Sequence, residues 1–185
     1  MSSIFESERT RLSIINNDNL PQQAEWMSDF GLQRLVNPFI STPMSADDLL
    51  DPNGWFQSSL NDEKSRTFGI HTRADNQFIG ICAVVNLNMF AHHAEIGINI
   101  ANPDFQSKGY GREVMILLMR YSFEQFNLNR LMLKVMGFNT RALRLYEKLG
   151  FQYEVTQREL FFHDGQYFDG YIMSILRSEW EAIYG

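Results

Sequence analysis

The segment Asn102–Arg112, NPDFQSKGYGR, constrains the fold of this chain more than any other stretch. It follows Glu95–Ala101, which alternates as a strand: Ile96, Ile98 and Ile100 on one face, Glu95, Gly97 and Asn99 on the other. Pro103 stops simple continuation, and a loop with Gly109 and Gly111 opens into a long apolar helix, Gly109–Phe126. No strong side-chain cap stands at that helix start, so its first N–H groups have no internal partner. Free amides with a helix dipole behind them bind phosphate, and glycine lets a ligand approach the backbone. Lys108 and Arg112 add positive charge there. Taken alone, a glycine turn before a helix is often only a connection. It is not a nucleotide P-loop, which would continue Gly-Lys-Ser/Thr, nor the dinucleotide fingerprint, which would need a third glycine.

The rest of the chain sets this segment in a mixed α/β order. Thr10–Ile15 reads as a first strand and Leu20–Met27 as a helix, with Asp47–Leu50 and Trp55–Leu60 as helical turns in an irregular, proline-bearing stretch. Thr67–His71 and Phe78–Leu87 flank a turn at Ala74-Asp75-Asn76, as in a hairpin. Leu131–Met136 is a strand, and Asn139–Leu149 a helix with Asn139 as N-cap and Gly150 as its stop. Glu154–Phe162 and Gln166–Leu176 flank Asp164-Gly165, a strong hairpin signal. The expected fold is one α/β domain over 1–185, with a mixed, mostly antiparallel sheet flanked by helices.

Composition narrows the function classes. A net charge of −6 argues against general nucleic-acid binding. The polar start Met1–Arg11 and the absence of a spanning apolar run predict no membrane partner and a cytoplasmic location. Cys82, the one cysteine, lies in an apolar strand and is read as a buried hydrophobe rather than a nucleophile. His92 and His93 are adjacent and lack spaced partners, so no metal site is expected.

A second segment, Asn139–Phe151, reads NTRALRLYEKLGF and lies one helix and one strand downstream of the glycine loop. Gln106-Ser107-Lys108-Gly109-Tyr110-Gly111 resembles the Q/R-x-x-G-x-G/A loop of the GCN5-related N-acetyltransferases. The later segment resembles that family's N-x-x-A-x-x-L-Y-x-x-x-G-F helix. Together the two are far more specific than either alone, and they are similar to the branch with ribosomal-protein N-terminal and spermidine acetyltransferases. The N-terminal third matches only in outline.

The resemblance implies acetyl-CoA as cosubstrate, held in a gap where the strands Glu95–Ala101 and Leu131–Met136 splay apart. Gln106, Ser107, Lys108, Gly109, Tyr110, Gly111 and Arg112 would take the pyrophosphate, backbone near Ile98 and Ile100 the pantetheine, and Asn139 the coenzyme arm. It also implies that Tyr146 protonates the departing thiolate; otherwise Tyr146 is a core aromatic on the stripe of Ala142, Leu145 and Leu149. Glu95 is either a general base toward the attacking amine or an ordinary carboxylate paired with a base. Trp26, Phe30 and Phe39 either pack the core or line the acceptor pocket. The expected acceptor is a small-molecule or peptide primary amine, drawn by Asp29, Asp47, Asp48, Asp51, Asp62 and Glu63. A homodimer is compatible with the chain. A non-catalytic acyl-CoA sensor, or an interaction module on the same fold, is the alternative function.

Overall fold

A computed structural model describes residues 3–36 and 43–185. Among the described residues, seven strands form one sheet: β1 (Thr10–Ser13), β2 (Arg66–Thr72), β3 (Phe78–Asn88), β4 (His93–Ile100), β5 (Arg130–Met136), β6 (Gln152–His163) and β7 (Gln166–Leu176). Their spatial order is β1-β2-β3-β4-β5-β7-β6, and every neighbouring pair is antiparallel except β4 and β5. This is the mixed, mostly antiparallel sheet that the sequence predicts.

A parallel pair needs a crossover, and helix α5 (Tyr110–Gln125) supplies it. Val114, Met115, Leu118 and Phe123 of α5 are fully buried in one cluster with Ile96, Leu131, Leu133 and Ile175 of the sheet. Emptying such a site, as in Phe123→Ala, costs about 3–5 kcal/mol. Ala94 and Ile96 bury toward this core, so alternation turns Glu95 to the opposite face.

On the N-terminal side, α1 (Leu20–Ser28), α2 (Phe30–Val36), α3 (Ala46–Leu50) and α4 (Trp55–Asn61) form a second layer. Its small core comprises Leu20, Ala24, Met27, Leu49 and Phe56. Asp29 starts α2: its Oδ1 accepts the Leu32 amide at 3.1 Å. The sequence reading does not anticipate α2, nor the closing helix α7 (Arg177–Tyr184), whose Trp180 packs on Phe123 at 5.1 Å between ring centroids. Helix α6 (Thr140–Lys148) begins at Asn139 and gives way to Gly150, at φ 96°. At the β6–β7 turn both Asp164 and Gly165 have positive φ, as a tight hairpin requires.

Candidate active site

The parallel contact between β4 and β5 is short. It runs only through His93–Arg130, Ala94–Leu131 and Glu95–Met132. Beyond it β5 continues along β7 to Met136 and β4 along β3 to Ile100, so the two strands part and leave a wedge. A cleft of about 1220 Å³ opens there, and Ile98, Ile100, Val135 and Met136 line it. At the open end the Gln106 amide donates to the Ile100 carbonyl at 2.9 Å, tying the glycine loop to the end of β4.

The start of α5 has no side-chain cap, and Gly109 sits there at φ 90°, a left-handed conformation that glycine adopts without strain. Ser107, Gly109, Gly111 and Arg112 line the cleft; Lys108 and Tyr110 do not. The Lys108 carbonyl accepts Arg9 Nη1 at 3.1 Å, and the Tyr110 ring lies under the Arg9 guanidinium at 4.5 Å. Arg9 is in turn held by Glu113, whose carboxylate also accepts the Ser7 hydroxyl at 2.6 Å. A Cβ on Gly109 would meet Arg9 at 2.9 Å, whereas one on Gly111 would point between Leu145 and Ile100 at 3.6 and 3.9 Å. Gly111, rather than Gly109, therefore keeps the wedge open.

Helix α6 forms the facing wall. Asn139 caps it, accepting the Ala142 amide at 3.2 Å, and its Nδ2 donates to the Leu35 carbonyl of α2 at 3.1 Å. Both ends of this side chain are thus engaged within the protein. Arg141, Arg144 and Lys148 line the cleft beside Arg112 and make its open end cationic. Arg141 also donates to Gln106 Oε1 at 2.6 Å. The sequence reading followed only the apolar stripe of this helix, yet positions 141, 144 and 148 fall at helical spacing on one face.

Tyr146 lies in the same wall, 7% exposed, with its ring 6.0 Å from that of Phe151. It belongs to the core cluster and also lines the cleft. Its hydroxyl has no hydrogen-bond partner among the described residues, and burial pushes its pKa up to about 12. At the closed end of the wedge, Glu95 Oε2 accepts Lys134 Nζ at 3.0 Å and Asn86 Nδ2 at 3.3 Å. Leu32 and Leu35 of α2 and Gln157, Phe161 and Tyr171 of the hairpin complete this end.

The expected attraction by acidic residues is not what the structure displays. None of Asp29, Asp47, Asp48, Asp51, Asp62 and Glu63 lines the cleft. Asp48 closes a capping box with Ser45, Asp51 accepts the Asn53 amide, and Asp62 accepts Lys64 and Ser65. Short polar side chains flanking helices serve backbone groups first, which a reading of charge alone does not register. Trp26 and Phe30 also stand apart from the cleft: Trp26 stacks on Phe78, and Phe30 is exposed under Arg34. Phe39 lies outside the described residues. Cys82 is buried, which raises its thiol pKa and leaves no reactive thiolate. His92 lies in the β3–β4 turn at φ 53° with its ring nitrogen on the Asn127 carbonyl, and His93 begins β4. No described helix is long and apolar enough to cross a membrane.

Comparison with known proteins places this geometry in context. A family model described as an acetyltransferase (GNAT) domain matches residues 9–152. A spermidine N(1)-acetyltransferase of Vibrio cholerae serotype O1 is 34% identical over 125 residues, 68% of this chain and 71% of the relative. One from Escherichia coli K12 is 32% identical over 127 residues, 69% and 67% respectively. The crystal structure of spermidine N-acetyltransferase from Vibrio cholerae in complex with CoA and spermine superposes with a TM-score of 0.82 at 27% identity. It covers 95% of this chain and 99% of that one.

Proposed function

This chain belongs to the GNAT acetyltransferase family and is an acyl-CoA-dependent N-acyltransferase, and on that premise we propose that it moves acetyl from acetyl-CoA directly to a small primary amine. The carrying observation is the wedge: three parallel residue pairs, then an opening with uncapped helix amides at one end and Glu95 and Tyr146 deeper in. The amides from Ser107 to Arg112, with Arg112, Arg141 and Arg144, would hold the coenzyme phosphates. The freed edge of β4 at Ile98 and Ile100 would pair with the pantetheine arm and polarise the thioester carbonyl. Asn139 supports that arm indirectly, by fixing the start of α6 against α2.

The chemistry then follows from the groups present. An alkylammonium with pKa near ~10 must lose a proton before it can attack, and Glu95 is the carboxylate that lines the cleft to take it. The free amine forms a bond to the thioester carbon, and the C–S bond breaks. Tyr146 gives its hydroxyl proton to the leaving thiolate, a weaker base than the buried phenolate, and the second proton that the nitrogen sheds on becoming an amide restores the phenol. No covalent relay is needed, since Cys82 is buried away from the reaction. The whole span 1–185 acts as this one domain, and exposed Tyr153, Val155 and Phe162 on the edge strand β6 support a homodimer, which sedimentation would test.

Calorimetric titration with acetyl-CoA, followed by thiol release across a panel of amines, tests the reading. One-to-one binding with amine-dependent thiol release is expected. Binding without turnover on any amine would leave an acyl-CoA sensor in its place, and no binding would overturn the assignment of the wedge.

A further inference from the structure

The acceptor end of the cleft carries an unusual balance of charge for a chain whose relatives are named for spermidine. Glu95 is the one carboxylate lining the cleft among the described residues, and Lys134 and Asn86 already occupy its Oε2. The stretches outside the described residues, Met1-Ser2 and Asn37–Thr42, contain no Asp or Glu, so they bring no further carboxylate. Asp29, Asp48, Asp51 and Asp62 brace backbone at helix starts and turns, and neither Asp47 nor Glu63 lines the cleft. Lys134, on β5 at the closed end, is thus an ammonium facing the place where the amine must sit, with its side chain 59% exposed to the cleft and solvent.

We propose that Lys134 is a specificity-determining residue: it turns the acceptor site away from polyamines and toward amines with a single positive charge, favouring those with a nearby carboxylate. This inference rests on the acetyl-transfer reading. A reacting ammonium must share Glu95 with Lys134 before it gives up its proton. A second ammonium on the same molecule would then meet Lys134 with no carboxylate left to pair with, and like charges held close repel. A substrate carboxylate would instead take up Lys134 as the amine claims Glu95, so that no charge in the cleft loses its partner. The open end, with Arg112, Arg141 and Arg144, is reserved for the phosphates and offers a polyamine no carboxylate.

Three probes of equal chain length isolate the effect: 4-aminobutyrate, n-butylamine and putrescine, whose far ends are a carboxylate, a methyl and an ammonium. Spermidine extends the series. Both kcat/KM and equilibrium binding to the CoA-loaded protein are measured, so an order is read even where turnover is slow. The expected order is 4-aminobutyrate, then n-butylamine, then putrescine and spermidine. Lys134→Gln keeps most of the stem and should raise putrescine and lower 4-aminobutyrate by about fivefold each, the scale of one partly exposed ion pair. It should raise n-butylamine less than putrescine, since both gain an unshared Glu95 and only putrescine also sheds a repulsion, and it should leave acetyl-CoA binding within twofold. Spermidine preferred by the parent enzyme, or a Lys134→Gln change that shifts all probes equally, would overturn the proposal. Absence of acetyl-CoA binding by the parent protein would instead sink the acetyl-transfer reading, and the binding order of the amines on the free protein would still decide the role of Lys134.

Discussion

Replacing Tyr146 with Phe separates the two roles its position allows. The ring is 7% exposed and packs among the core residues beside Phe151. The hydroxyl has no partner among the described residues, so its removal orphans nothing, and Phe fills the same space. Folding stability near neutral pH should change little, because no native hydrogen bond is lost. Turnover should nevertheless fall roughly 100-fold, or ~2.7 kcal/mol in the barrier, if the phenol protonates the thiolate. The KM for acetyl-CoA should hold, since the donor acts only as the C–S bond breaks.

The alkaline range gives an independent check. The folded phenol keeps its proton to about 12, while the unfolded one releases it near ~10. Between those values the unfolded state binds fewer protons, so stability falls as pH rises, by about 2–3 kcal/mol in total. Tyr146→Phe should remove that part of the alkaline slope. It also follows that the donor stays protonated through pH 10, so any earlier decline in kcat must come from another group. Stopped-flow thiol release and urea melts from pH 7 to 11 read both effects. Turnover within a few-fold of the parent would make Tyr146 a core residue only, and an unchanged alkaline slope would refute the buried, unpaired hydroxyl.

Other substitutions test the remaining walls. Gly111→Val should lower acetyl-CoA affinity at least tenfold, about 1.4 kcal/mol, with melting preserved, because the new methyls enter the gap between Ile100 and Leu145; unchanged affinity would move the coenzyme elsewhere. Gly109→Ala should act instead on folding, by about 1–2 kcal/mol, since φ is 90° there. Glu95→Gln should reduce kcat by roughly two orders of magnitude; near-parental rates would leave Glu95 as no more than the ion-pair partner of Lys134. Glu154 is held down at about 2 by Arg130 and by the Ser174 hydroxyl. Its contribution is present above the unfolded carboxyl pKa and fades as pH falls toward 2. Both partners are partly exposed, so Glu154→Gln should flatten acid denaturation by about 1 kcal/mol or less, as followed by circular dichroism.

What could be read from the sequence was local. Gly109 before an apolar helix, Asn139 at a cap, Gly150 at a stop and Asp164-Gly165 at a hairpin each express a backbone requirement within a few residues. The structure meets all of them. Helix α2 escaped because it is short and includes Gly31, with Asp29 as its main signal; α7 escaped because a single buried Trp180 carries its docking. Arg9 escaped for a different reason. It meets the glycine loop and Glu113 across about a hundred positions of chain, and nothing near residue 9 marks that encounter. The same limit governs the acceptor site. Alternation on β5 buries Leu131, Leu133 and Val135 and so turns Lys134 to the face that Glu95 shares, which a strand reading could have stated. That Lys134 meets Glu95 depends on β4 and β5 being neighbours for three residue pairs before they part. Pairing distance, rather than residue type, converted an apparent attraction for cations into a cleft whose one carboxylate among the described residues is already engaged.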